Sequence, residues 1–173
     1  MIGNDIVDLA LAKKQSNWQR KGFINKIFTK NEQDLIYKDV NPEAMVWNLW
    51  SRKEAAYKIY NRQTNIRGYF PLQLECIYES ETLGTVCCNG NFYRTQTTVS
   101  SEFIYTIAVT EKDNFILIKN LDSDAKICKT NAIPFIIDEF TKIAKPVSIS
   151  HHGRFWKGIT IEFNTPVITS SPI

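Results

Sequence analysis

The sequence predicts an α+β fold: a mostly antiparallel sheet packed with one long helix and shorter helices. Two observations carry this. Strand-like runs cluster in the second half of the chain and do not alternate with helices, which is the pattern of α+β folds. One unbroken helical stretch, about Pro42 to Asn61, dominates the first half. At 173 residues the chain fits a single domain over 1–173, and no repeat, low-complexity tract or linker divides it.

The elements follow in order. "MIGNDIV" reads as a short strand and "DLALAKKQSNW" as a helix beginning near Asp8. In "TKNEQDLIY" the spacing of Thr29 and Glu32 is that of a capping box, so a helix starts there. Pro42 suits the first turn of the long helix, and "IRGYFP" ends the helical pattern. "LQLECIYE", "GTVCCNG", "NFYRTQTTVS" and "EFIYTIAVTE" are strand-like, with "NG" as a hairpin turn. "NFILIKN" adds a further strand, "AIPFIIDEFTKIA" is ambiguous, and "PVSISHHGRFWKGITIEF" reads as two strands around a His-His-Gly turn.

Composition narrows the function classes. Hydrophobic content of 43% and charged content of 23% are those of an ordinary soluble domain. No apolar run approaches the ~20 residues of a membrane span. Asp5 and Asp8 stand where a signal peptide needs a basic start and an apolar stretch, so a cytoplasmic location without membrane partners is expected. Cys76, Cys87, Cys88 and Cys128 have neither zinc-site nor disulfide spacing and are read as reduced. From Leu9 to Asn31 there is no acidic residue, while Lys13, Lys14, Arg20, Lys21, Lys26 and Lys30 are basic. Such a stretch attracts acidic proteins or phosphates. No aromatic-basic signature accompanies it, so nucleic acid is not an expected partner.

"WSRKEAAYK", residues 50–58, lies on the long helix. With Trp47 at zero, Trp50 falls at about 300°, Glu54 at about 340°, Tyr57 at about 280° and Lys58 at about 20°. A carboxylate and an ammonium thus share the aromatic face, while Arg52, at about 140°, falls on the far side as a solvated charge. Two readings stay open. Glu54 and Lys58 form an exposed i,i+4 pair worth ~0.2–0.5 kcal/mol, or Glu54 is buried and needs a cation.

A second carboxylate comes from "GNDIVDL". Asp5 or Asp8 can cap the following helix; capping employs one and leaves the other free. Gly3 suggests a close backbone approach. Two carboxylates from distant segments suit a hard cation such as magnesium, which shares its remaining positions with phosphates and water. In "SISHHGRF", Ser148, Ser150 and His151 follow a strand. No nucleophile elbow is present, and Ser150 and His151 point to opposite faces, which excludes a Ser-His-Asp triad. A hydrogen-bonded turn histidine and a phosphate contact are the readings left for His151.

These three stretches resemble the 4′-phosphopantetheinyl transferase superfamily, with its G-x-D motif, its W/F-x-x-K-E-A-x-x-K helix and its S-x-S-H strand. "GFINKIFTKNEQDLI" is similar to a fourth family segment. The short, holo-acyl-carrier-protein synthase type is the nearer one. Val7 stands where the longer type has a further metal ligand, and Asp8 matches the short type's glutamate. The family's glycine loop after the helix is missing: "KIYNRQTNIRG" has no glycine before Gly68, and its turn before the last strand is reduced to "AIP".

The resemblance implies transfer of the phosphopantetheine arm of coenzyme A to a serine of an apo acyl or peptidyl carrier protein, as in fatty acid biosynthesis, with release of 3′,5′-ADP. It implies magnesium held by Asp5 and Glu54, with Glu54 and Lys58 as the catalytic pair. Lys53, Lys58, Arg62, Ser150 and His151 would contact coenzyme A, with Arg67 a further option for its phosphates. The acidic carrier protein would meet the stretch from Lys13 to Lys30. With one copy of each motif, a homo-oligomer is expected, a trimer as in the short type. The alternative is a non-catalytic relative that binds coenzyme A or a carrier protein without transfer.

Overall fold

Strand β1 (Ile2–Asp8) is the seam of the molecule, because two sheets and the longest helix all meet it. The structure, a computed structural model, describes residues 1–162; the end of the last predicted strand, Phe163, lies outside them. Helix α1 (Leu9–Gln15) follows directly, capped by Asp8, whose carboxylate accepts the amides of Ala10 and Leu11. A short helix, α2 (Phe23–Ile27), comes next; its five residues carry too little periodicity to register in the sequence. Helix α3 (Lys30–Lys38) begins with the expected capping box: Thr29 accepts the Glu32 amide and Glu32 accepts the Thr29 amide. Helix α4 (Pro42–Thr64) runs one turn beyond the expected end and stops at Asn65, which takes a left-handed conformation.

The first sheet has the order β1-β5-β4-β3-β2, from β2 (Glu75–Tyr78), β3 (Leu83–Cys88), β4 (Asn91–Val99) and β5 (Phe103–Val109), all antiparallel. The second has the order β6-β10-β9-β8-β7. Its strands are β6 (Ile118–Leu121), β7 (Cys128–Thr130), β8 (Ile133–Ile137), β9 (Ala144–His152) and β10 (Phe155–Ile161). The expected strand in "NFILIKN" is only half there: Lys112–Leu117 forms a 3-10 helix and β6 starts after it. The ambiguous "AIPFII" is strand β8.

Helix α4 lies on the first sheet and packs Val46, Leu49, Ala56 and Ile59 against Val86, Ile104 and Ala108. Its close approach to β1 requires Gly3, since a Cβ there would run into the carbonyl oxygen of Ala55. This places the signature helix directly over the strand that carries Asp5. The four cysteines are free thiols, as expected. Among the described residues no helix is long and apolar enough to cross a membrane.

Candidate active site

The site begins with the division of labour between the two aspartates of β1. Asp8 is spent on structure. Besides capping α1 it accepts the guanidinium of Arg154 at 3.0 Å and the Arg154 amide at 3.0 Å. Asp5 is left free for the site, one carboxylate oxygen accepting the Ser150 hydroxyl at 3.0 Å. Burial pushes Asp5 up to about 6, against the pull of the Lys58 ammonium.

Glu54 comes from α4 and is close enough to Asp5 to feel its charge. Burial first, and then the Asp5 carboxylate, push Glu54 up to about 7. The pair is therefore two like charges with little water to screen them. Trp50, Tyr57 and Tyr69 supply the dry wall: the Trp50 and Tyr69 rings are 5.7 Å apart and the Tyr57 and Tyr69 rings 5.3 Å apart. The Tyr69 hydroxyl is buried beside Glu54 and makes no hydrogen bond of ordinary geometry. Lys58 is the cation of the group. Its Nζ donates to the carbonyls of Asn4 at 2.6 Å and Ile149 at 3.1 Å and stands 3.8 Å from Asp5. Its ion pair is thus with Asp5, not the exposed i,i+4 pair with Glu54. The half-buried position of Glu54 favours the second reading of the helix face.

Two helix residues behave otherwise than expected. Lys53, expected to meet coenzyme A, is fully buried and turned away from the site. It pairs with Glu32 at 2.7 Å and donates to the carbonyls of Ile27 and Pro71, so it ties α2 and α3 to α4. Arg52, expected in solvent, is also fully buried. Its guanidinium donates to the carbonyls of Ser80, Glu81 and Leu83 and to the Asn48 side chain. Helical angle alone cannot distinguish solvent from a loop packed over the same face.

The "SISHH" strand also differs from expectation. Ser148, Ser150 and His152 alternate along β9 and face β1, where they accept the amides of Asn4 (2.9 Å), Ile6 (3.1 Å) and Asp8 (2.9 Å). Ser150, expected to touch coenzyme A, has both its donor and its acceptor engaged by β1 and is a support for Asp5. His152 had no sequence signal beyond its neighbour. His151 points the opposite way, exposed, into a cleft of about 320 Å³. That cleft is also lined by Tyr57, Lys58, Arg62, Lys129 and Pro134, and none of its lining residues is acidic. Asp5 and Glu54 do not line the cleft; they meet it through Lys58. Arg62 donates to the Val147 carbonyl at 2.6 Å, whereas its Nε and Nη1 are buried without partners. Arg67 does not line the cleft and bonds the Asn131 carbonyl at 2.7 Å.

Among the described residues no three His, Cys, Asp or Glu side chains converge as a metal cage. The donor set is two carboxylates, which fits a hard cation that completes its shell with substrate oxygens and water. It does not fit a soft or fully protein-ligated ion.

The sequence profile of the 4′-phosphopantetheinyl transferase superfamily matches residues 1–110. The chain belongs to this superfamily. The match takes in β1, α4 and the whole first sheet, and so both carboxylates and Lys58. The fold is similar to that of two solved structures. One is the holo-[acyl-carrier-protein] synthase of Helicobacter pylori, solved in complex with coenzyme A, at a TM-score of 0.51 and 16% identity, covering 64% of this chain and 100% of that one. The other is the apo synthase from Chronobacterium ammoiniagenes, at 0.50 and 12%, covering 62% of this chain and 93% of that one. No curated protein matches the sequence.

Proposed function

We propose that this chain transfers the 4′-phosphopantetheine group of coenzyme A to a serine hydroxyl of an apo acyl or peptidyl carrier protein, in the manner of a holo-acyl-carrier-protein synthase. The observation that carries the proposal is the meeting of Asp5, Glu54 and Lys58. A family signature helix and a G-x-D strand bring two carboxylates with raised proton affinity and one ammonium to the end of a cleft without acidic lining.

In the reaction the serine oxygen bonds to the phosphorus on the pantetheine side of the coenzyme A pyrophosphate. The bond from that phosphorus to the bridging oxygen breaks, and 3′,5′-ADP leaves. Positioning and charge neutralisation are the main work in phosphoryl transfer. Asp5 and Glu54 would hold a divalent cation, magnesium, which when bound supplies charge neutralisation to the pyrophosphate oxygens. Lys58, fixed by the Asn4 and Ile149 carbonyls, offers its remaining hydrogen to a phosphate oxygen as a compact point charge. The serine proton needs an acceptor, and the carboxylates of Asp5 and Glu54, which meet the cleft through Lys58, would supply it. Trp50, Tyr57 and Tyr69 keep water from the same end.

The acidic carrier protein would dock on the basic stretch, where Lys13, Lys14, Arg20 and Lys21 are exposed. A single domain and a homo-oligomer, trimeric as the resemblance implies, complete the proposal. The test is intact-protein mass spectrometry of an apo acyl carrier protein after incubation with the chain, coenzyme A and magnesium, with Glu54→Gln in parallel. The expected result is a mass gain of one phosphopantetheine group that the variant does not produce. No gain across several carrier proteins, with coenzyme A binding intact, identifies a non-catalytic relative instead.

A further inference from the structure

The two site carboxylates are not supported alike. Ser150 holds Asp5 with a hydrogen bond of 3.0 Å, whereas among the described residues nothing makes a hydrogen bond of ordinary geometry with Glu54. The hydroxyl buried beside Glu54, that of Tyr69, has no partner of its own either.

Tyr69 belongs to the segment between α4 and β2, which is pinned along its length. Asn61 donates to the Ile66 carbonyl at 2.6 Å, Arg67 to the Asn131 carbonyl at 2.7 Å, and the Gly68 amide to the Tyr57 hydroxyl at 3.3 Å. Lys53 fixes the far end through the Pro71 carbonyl at 2.8 Å. Gly68 stands at φ 143°, a conformation that side-chain-bearing residues rarely adopt. Beyond that turn Tyr69 enters the site, while Phe70 stays exposed. On α4, Trp50 lies one turn before Glu54 and Tyr57 one turn after it, on the same face. The Tyr69 ring packs against both, 5.7 Å from Trp50 and 5.3 Å from Tyr57, and so seats its hydroxyl across Glu54. Burial first, and then the Glu54 charge, push that hydroxyl far above the ordinary tyrosine range, so it stays a donor.

A buried hydroxyl without a partner costs stability, and flaws of this kind are kept where function uses them. A cation between Asp5 and Glu54 needs one oxygen of each. The second oxygen of Glu54 then carries charge in a dry pocket and needs a donor, as metal-bound carboxylates generally do.

We infer that Tyr69 is a positioning residue for the metal site: its hydroxyl takes one oxygen of the Glu54 carboxylate and leaves the other facing the cation. It does for Glu54 what Ser150 does for Asp5. The cation's identity, magnesium, rests on the transferase reading.

Tyr69→Phe keeps the ring and removes one oxygen. Melting of the metal-free variant is expected at or above the wild-type Tm, because the hydroxyl holds nothing there. Calorimetric titration of the full chain with magnesium, alone and with coenzyme A present, is expected to show a Kd raised roughly tenfold or more, the usual loss when a metal ligand's hydrogen-bonded support is removed. Coenzyme A affinity without magnesium should stay as it was. In the transfer assay the apparent KM for magnesium should rise by the same factor, with KM for the carrier protein unchanged. Unaltered magnesium affinity in the variant, a metal-free Tm several degrees lower, or a wild type that binds no magnesium under either condition overturns the inference. A chain that binds magnesium through Tyr69 in this way and transfers nothing overturns the transferase reading and leaves the role of Tyr69 standing.

Discussion

Ser150 holds Asp5 from the neighbouring sheet: its hydroxyl donates to Asp5 Oδ1 at 3.0 Å while its oxygen accepts the Ile6 amide at 3.1 Å. One side chain thus fixes a site carboxylate and the strand that bears it. Ser150→Ala removes both bonds, and a stability loss of about 1–2 kcal/mol is expected in urea titration. Turnover should fall roughly tenfold with KM for coenzyme A little changed, since misplaced catalytic groups cost rate more than binding. A variant with unchanged kcat would show that Asp5 keeps its place without this support.

The two carboxylates oppose one another in the metal-free protein, so removing either charge should stabilise it. Glu54→Gln and Asp5→Asn are expected to raise Tm by ~2–6 °C without magnesium, the melting shift that relieving a buried like-charge pair produces in a domain of this size. Both should lose transfer. A lower Tm in either variant would mean that the native fold depends on that charge.

Linkage gives the pH dependence. In the unfolded chain both carboxylates titrate at about 4, whereas in the native state burial holds Asp5 at about 6 and Glu54 at about 7. Between those values the native state binds more protons, so their contribution to stability is lost as pH rises from about 4 to about 7. Asp8 and Asp138, held below the usual carboxylate range by hydrogen bonds from Arg154 and Lys145, act in a lower window and lose their contribution as pH falls below about 4. A divalent cation competes with protons for the oxygens of Asp5 and Glu54. The Tm gain from millimolar magnesium should therefore be small near about pH 5 and large near about pH 8. Melting curves with the same gain at both pH values would place the ion elsewhere.

Lys53 gives a contrast between signature and site. Lys53→Met leaves Glu32 buried without its cation, and breaking such a pair costs about 3–5 kcal/mol. Urea titration should register that loss, while coenzyme A affinity of the folded protein stays near wild type. A selective loss of coenzyme A binding at unchanged stability would return Lys53 to the ligand.

The basic stretch makes its own prediction. Among the described residues Lys13 and Lys14 have no acidic partner, and both are exposed in the last turn of α1. Reversal to Lys13→Glu/Lys14→Glu should leave Tm within about 1 °C, as surface changes usually do. It should raise KM for an acidic carrier protein severalfold, more at low salt. Unchanged KM would remove this stretch from carrier recognition.

Elements with strong local chemistry were legible in the sequence. The capping box at Thr29, proline at the start of α4, the close approach at Gly3 and an aspartate cap from Asp5 or Asp8 are properties of adjacent residues, and each is found in the structure, the cap at Asp8. The face of Glu54 and Lys58 was legible for the same reason, since helical period fixes it. Long-range partners were not. Nothing near Lys53 announces that Glu32 lies beneath it, and nothing near Arg52 announces three carbonyls folded over it. Alternation put His151 and Ser150 on opposite faces of β9, but which face met β1 depended on how the second sheet docks.

That docking has a consequence for the outer edge of the first sheet, the side of β1 turned away from β5. An unpaired outer strand offers its amides to any strand that drifts past, and natural sheets guard against such aggregation. On β1, Ser148, Ser150 and His152 occupy the amides of Asn4, Ile6 and Asp8 one after another. A sliding strand would find those three donors taken. The side chains that brace Asp5 thus also cap this edge of the sheet against a further strand.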